Sequence, residues 1–212
     1  MTAKPAVPPT LGAILAGGRA RRLGGGDKTL RMVGGCSVLT RVINRLAPQV
    51  RRLILNANDD PQRFDTFELP VVPDSLPDRP GPLAGVLAAL DWTAASDPVI
   101  DWVITVPGDT PFLPRDLVAR LHAKRRREKA VLACAASLGR IHPVVSLWPI
   151  AVREELRDAV ARHGIRKIDL FTRRYPCATA EWPAEPADPF FNVNAPADLT
   201  EADRLAREHS EL

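Results

Sequence analysis

Aromatic side chains make up only 5% of the 212 residues, and cysteine occurs three times, at Cys36, Cys134 and Cys177. The cysteines are far apart and form no CxxC pair, which argues against a disulfide framework or a structural zinc site and fits a reducing compartment. No apolar run approaches the roughly 18 residues of a membrane span. The first ten residues, MTAKPAVPPT, lack the apolar core of a secretory signal and are expected to form a loose, proline-rich tail. A cytoplasmic location follows as an expectation. GxxxxGK[ST] is missing, so the chain has no P-loop, and no GxGxxG follows the first apolar run, so it lacks the dinucleotide fingerprint. No aromatic residues interleave with the basic run Lys124 to Arg127, so that run reads as a solvated helix end rather than a nucleic-acid surface. Charge is only mildly one-sided, at +4 with a pI near 9.3, which suits anionic ligands without requiring them.

Apolar runs suited to buried strands alternate with helical patterns. Leu11 to Leu15, Leu53 to Leu55, Leu69 to Val72 and Val103 to Val106 read as four strands. Ser37 is placed to cap a helix with Leu39, Val42, Ile43 and Leu46 on its apolar face. Pro82 suits the first turn of a helix bearing Leu83, Val86, Leu87 and Leu90. A basic helix is expected from Pro114 to Arg127, strands at Val131 to Ala135 and Val144 to Leu147, and a helix from Val152 to His163 with Gly164 just past its end. FFNVNAP, residues 190 to 196, precedes a last helix from about Asp198. This alternation predicts an α/β fold with a mostly parallel sheet covered by helices on both faces. One domain is expected over residues 11 to 212.

In open parallel sheets, ligands bind beyond the carboxyl ends of the strands. Here those ends carry a basic, glycine-rich loop after the first strand, then Asn56, Asp74 and Asp109. The loop is LAGGRARRLGGGDK, residues 15 to 28. Gly17 and Gly18 allow a close approach of backbone N–H groups to a ligand. Arg19, Arg21, Arg22 and Lys28 can neutralise a polyphosphate, the arginines with paired hydrogen bonds. Asp109, in PGDTP, suits Mg²⁺, although an aspartate beside a Thr-Pro also reads as a turn former. Asp74 carries the same two readings, and Asn56 reads as a base or ribose contact or as a strand-end turn residue. His142, in HPVVSL, shows no serine or carboxylate partner by spacing. It reads as a local structural or substrate-contact residue more readily than as a general base.

These motifs, with NAN at 56 to 58, VVPDS at 71 to 75 and GPLAG at 81 to 85, run in the same order as in the molybdenum cofactor guanylyltransferase family, which the chain resembles from Leu11 to about Leu205. The resemblance implies a Rossmann-like three-layer nucleotidyltransferase fold. The implied reaction moves GMP from GTP to the terminal phosphate of molybdenum-loaded molybdopterin and releases pyrophosphate, with Mg²⁺ bound at Asp109. By position, Leu15, Ala16, Gly17, Gly18, Asn56, Asp74 and the GPLAG residues Gly81, Pro82 and Leu83 would serve the nucleotide. Lys28, Arg19 and Arg22 would serve the phosphates, and Asn192, Asn194 and His142 would lie on the molybdopterin side. The N-terminal half would thus hold GTP and the C-terminal half molybdopterin.

Other cofactor-biosynthesis proteins and molybdoenzyme chaperones are the further partners this resemblance implies, with no nucleic acid, no membrane and a monomeric state expected. Two departures are Leu23, where the family often has Met, and Ala195, where it often has Thr. The nearest rival is the sister cytidylyltransferase of the same pathway, which usually reads LAAG where this chain has Gly17 and Gly18, and usually lacks GPLAG. A sugar-phosphate nucleotidyltransferase would show a Gly-Thr-Arg-Leu pattern that is absent. A nucleotide-binding regulator without chemistry would not need Lys28 and Asp109.

Overall fold

The computed structural model describes residues 6–17, 28–58, 60–76 and 81–209, with Lys28 described in its backbone alone. Strand β1 spans Thr10–Leu15, one residue earlier than expected. A short antiparallel ribbon of β2 (Met32–Val33) and β3 (Cys36–Ser37) then leads into α1 (Val38–Leu46). Next come β4 (Arg52–Asn56), β5 (Val71–Val72), α2 (Pro82–Ser96) and β6 (Trp102–Pro107). The second half adds α3 (Leu117–Glu128), β7 (Leu132–Ser137), β8 (Arg140–Pro149) and α4 (Arg153–Ala161). It ends with α5 (Ile168–Thr172), β9 (Cys177–Trp182) and α6 (Pro196–Glu208). The sequence does not announce β2, β3, α5 or β9. The basic helix starts three residues later than expected, and the third strand shrinks to two residues after Pro70, which has no N–H to donate. Helix α4 ends at Ala161, so Gly164, at φ +61°, lies beyond the position expected for it.

Seven strands form one sheet in the order β5-β4-β1-β6-β8-β7-β9. All pairs are parallel except those of β8, which runs against both β6 and β7. The mostly parallel sheet is therefore as expected, with one reversed strand. Side chains of β1 alternate between the two faces, as the pleat requires. Ile14 joins Leu39, Val42 and Leu46 of α1 and Leu117, Val118 and Leu121 of α3 on one face. Leu11 and Ala13 join Leu83, Val86, Leu87 and Leu90 of α2 and Leu156 of α4 on the other. Helix α2 is apolar nearly all round because it lies between the sheet and α4. A third, smaller cluster packs Val33 and Val38 against Phe112, Val193, Ala202 and Leu205, tying α6 to the loop after β6.

Chain order places the ligand edge. From β1 the chain moves outward to β4 and β5, then crosses back to β6 on the other side of β1. The connections therefore diverge between β1 and β6, and a crevice opens at the carboxyl ends of those two strands.

Candidate functional site

That crevice holds a cavity of about 330 Å³. Its walls come from the strand ends: Leu15, Ala16 and Gly17 after β1, Asn56 and Asn58 after β4, Asp74 after β5, and Pro107 and Asp109 after β6. Gly81, Pro82, Thr29 and Val144 complete them. Thus Leu15, Ala16, Gly17, Asn56, Asp74, Gly81, Pro82 and Asp109, singled out in the sequence, do meet at one place. Leu83 does not: its side chain is wholly buried in the core beneath α2, so only its main chain could serve a ligand. Gly18, Arg19 and Arg22 lie outside the described residues, as does the side chain of Lys28.

Backbone bonds pin the floor. Ala16 N–H donates to the Asn56 carbonyl at 2.9 Å, and Gly108 N–H donates to the Leu15 carbonyl at 3.0 Å. The fit around Gly108 is close: a Cβ there would crowd Thr29 Cγ2 at 3.2 Å and touch the Leu15 carbonyl at 3.4 Å. Asp109 is buried beside it.

On the β4 side, three side chains form a closed polar clamp. Asn56 Nδ2 donates to the Val72 carbonyl at 3.1 Å and to Asp74 Oδ1 at 2.9 Å. Asn58 Nδ2 donates to Asp74 Oδ2 at 2.8 Å, and Asp74 N–H donates back to Asn58 Oδ1 at 2.7 Å. Asn58, Thr29, Gly108 and Val144 were not singled out from the sequence. Asn58 had a signal in NAN, whose second asparagine repeats the first on the same side of the chain.

Among the described residues the cavity is lined by two carboxylates and by no lysine or arginine. No group of three or more His, Cys, Asp or Glu there could cage a metal. Such a donor set fits a hard divalent cation that takes one or two carboxylates and completes its shell with phosphate oxygens and water. Mg²⁺ behaves in this way, and Asp109 is the buried carboxylate at the crevice that would hold it.

The C-terminal motif braces this edge. Val193 N–H donates to the Asp109 carbonyl at 2.9 Å, and Thr110 Oγ1 donates to Asn192 Oδ1 at 2.7 Å. Asn192 and Asn194 are exposed and stand outside the cavity wall. Asp198 accepts from Asn194 N–H and Ala195 N–H, both at 2.8 Å, and so caps α6 without the hydroxyl that a threonine at 195 would supply. His142 does have partners, contrary to the spacing argument: Ser137 Oγ lies 2.8 Å from its Nε2 and donates to Asp188 Oδ1 at 2.7 Å. Its ring packs against Phe190 at 4.8 Å. Burial, aided by Arg140, holds its pKa below the usual value, against the pull of Asp188 and Glu181.

This geometry has relatives. Residues 12–175 match the MobA-like NTP transferase domain. The chain belongs to that family. It is 58% identical over 200 residues to the molybdenum cofactor guanylyltransferase of Nitrobacter hamburgensis, covering 94% of this chain and 96% of that one. It is 57% identical to that of Rhodopseudomonas palustris strain HaA2, covering 96% and 94%. Among solved structures, molybdopterin-guanine dinucleotide biosynthesis protein A from Archaeoglobus fulgidus shares the fold with a TM-score of 0.72 at 22% identity, covering 94% of this chain and all of that one. A nucleotidyl transferase from Methanothermobacter has a TM-score of 0.69 at 17% identity over 95% of this chain and 99% of its own. The family member described here is a nucleotidyltransferase enzyme, and among its described residues no helix is long and apolar enough to cross a membrane.

Proposed function

We propose that this nucleotidyltransferase transfers GMP from GTP to the terminal phosphate of molybdenum-loaded molybdopterin, in the cytoplasm and with Mg²⁺, releasing pyrophosphate. The observation that carries this reading is the crevice at the β1–β6 switch point, where buried Asp109 lies beside the Asn56–Asp74–Asn58 clamp. The guanylyltransferase relatives at 57–58% identity support the choice of substrates.

The attacking phosphate monoester is already anionic, so the reaction needs positioning and charge neutralisation more than a strong base. The Gly17 N–H serves the phosphates, the Ala16 N–H being tied to the Asn56 carbonyl. The Asn56–Asp74 pair, hydrogen-bonded at 2.9 Å, holds the guanosine. Lys28, Arg19 and Arg22 stabilise the departing pyrophosphate. Asp109 would hold the divalent ion, whose charge would offset that of the phosphates and supply Lewis-acid chemistry.

Calorimetry of GTP against CTP, with and without Mg²⁺, tests the reading in the wild-type chain and in Asp109→Asn. Tighter binding of GTP, dependent on Mg²⁺ and losing that dependence in the variant, is expected. Preference for CTP would move the substrate to the cytidylyl class and leave the fold and site standing. Mg²⁺-dependent binding and full transfer in Asp109→Asn would overturn the metal assignment.

A further inference from the structure

The carboxyl edge of the sheet continues past the nucleotide crevice. Strand β7 ends at Ser137, and the tight β7–β8 turn through Leu138 and Gly139, both at positive φ, returns the chain to His142. His142 lies two residues along β8 from Val144, which lines the crevice wall. Residue and crevice therefore share one edge.

The hydrogen bonds there fix where the protons are. Asp188 Oδ1 accepts from Phe190 N–H at 3.0 Å as well as from the Ser137 hydroxyl. An oxygen accepting twice carries no proton, so the single Ser137 hydrogen is committed to Asp188. Ser137 Oγ then meets His142 Nε2 as an acceptor, which requires the proton on Nε2. Neutral His142 consequently offers Nδ1 as a bare lone pair. The ring is half-buried, with one face against Phe190, and Nδ1 has no hydrogen-bond partner among the described residues. Ser137 is 1% exposed, so solvent does not compete for its hydroxyl.

We infer that Asp188 and Ser137 are positioning residues that lock the tautomer of His142, so that its Nδ1 accepts a hydrogen bond from an N–H donor of the pterin ring of the second substrate. This rests on the proposed guanylyl transfer for the identity of the ligand, whereas the tautomer stands on the hydrogen-bond chain alone. A reversed tautomer would present an N–H to the incoming donor and repel it. The device therefore distinguishes donor-bearing heterocycles from acceptor-bearing ones.

The test has two arms. Long-range ¹H–¹⁵N NMR of the wild-type chain at neutral pH, with His142 assigned by its loss in His142→Gln, reads the tautomer without any substrate. Nε2–H with bare Nδ1 is expected, and Ser137→Ala should give a tautomer mixture while His122, His163 and His209 keep their signals. Nδ1–H in the wild type would overturn the inference. In the second arm His142→Phe, which has no ring nitrogen to accept, should raise the KM for molybdopterin about tenfold, the worth of one well-placed hydrogen bond, and leave the KM for GTP within about twofold. An equal rise in both KM values would overturn the assignment to the pterin. Absence of any transfer by the wild-type chain would instead overturn the function reading, and the NMR arm separates the two failures.

Discussion

Gly85 carries no side chain because Asn56 fills the space that one would need. A Cβ at Gly85 would stand 2.3 Å from Asn56 Oδ1 and 3.1 Å from its Cγ. Asn56 cannot simply swing away, since its amide is tied to Val72 and Asp74. Gly85→Ala should therefore keep α2 intact, alanine being the better helix former by about 1 kcal/mol, and yet displace the Asn56–Asp74 pair. Calorimetry should show guanine-nucleotide affinity lower by on the order of tenfold, with unchanged far-UV circular dichroism; unaltered affinity would mean that the pair does not touch the nucleotide. At this scale much of the site was legible. Asn56, Asp74 and Asp109 each follow an apolar run, and strand ends in a parallel sheet must converge. The Asp188–Ser137–His142 chain was not legible, because Asp188 stands 51 residues from Ser137 and only the fold brings them together.

Helix α1 opens on a side-chain cap. Ser37 Oγ accepts from Thr40 N–H at 3.0 Å, while the backbone of Ser37 is extended at φ −68°, ψ 153°. Replacing it by alanine leaves that N–H without the serine oxygen. Ser37→Ala should cost about 1 kcal/mol, read as a lower urea midpoint at unchanged slope. Elements marked by such punctuation were readable in the sequence: Ser37 before α1, Pro82 at the start of α2. Strand β9 was not, because its inward residues are Ala178, Ala180 and Trp182, two of them alanines with little strand preference. The reversal of β8 was hidden as well. Its turn puts a leucine, Leu138, at φ +52°, where glycine or asparagine would have announced a hairpin.

Across the whole molecule, acid is the weak point. His122 of α3 is fully buried where α3 crosses the amino ends of β1 and β6, 2.9 Å from Thr10 Oγ1 and edge-on to Trp102. Burial, with Arg125 and Arg126 nearby, lowers its pKa from 6.5 to about 4. Between those values the unfolded chain binds the proton that the folded chain refuses. Stability is thus complete above pH 6.5 and declines as pH falls towards 4, by about 3 kcal/mol at one pKa unit per 1.4 kcal/mol. His142, also held low by burial, adds a loss of the same sign. Urea unfolding from pH 7 to 4 should trace this decline, and His122→Gln should flatten it; an equally steep decline in the variant would assign the effect to other groups. A last consequence concerns synthesis. The buttress of the Asp109 loop, at Asn192 and Val193, is encoded 82 residues or more after the loop that it supports. On the ribosome, every strand of the sheet emerges before that buttress does. A chain ending after Trp182 thus holds every residue of the crevice wall with the Asp109 loop unbraced, and proteolytic clipping there should lower transfer.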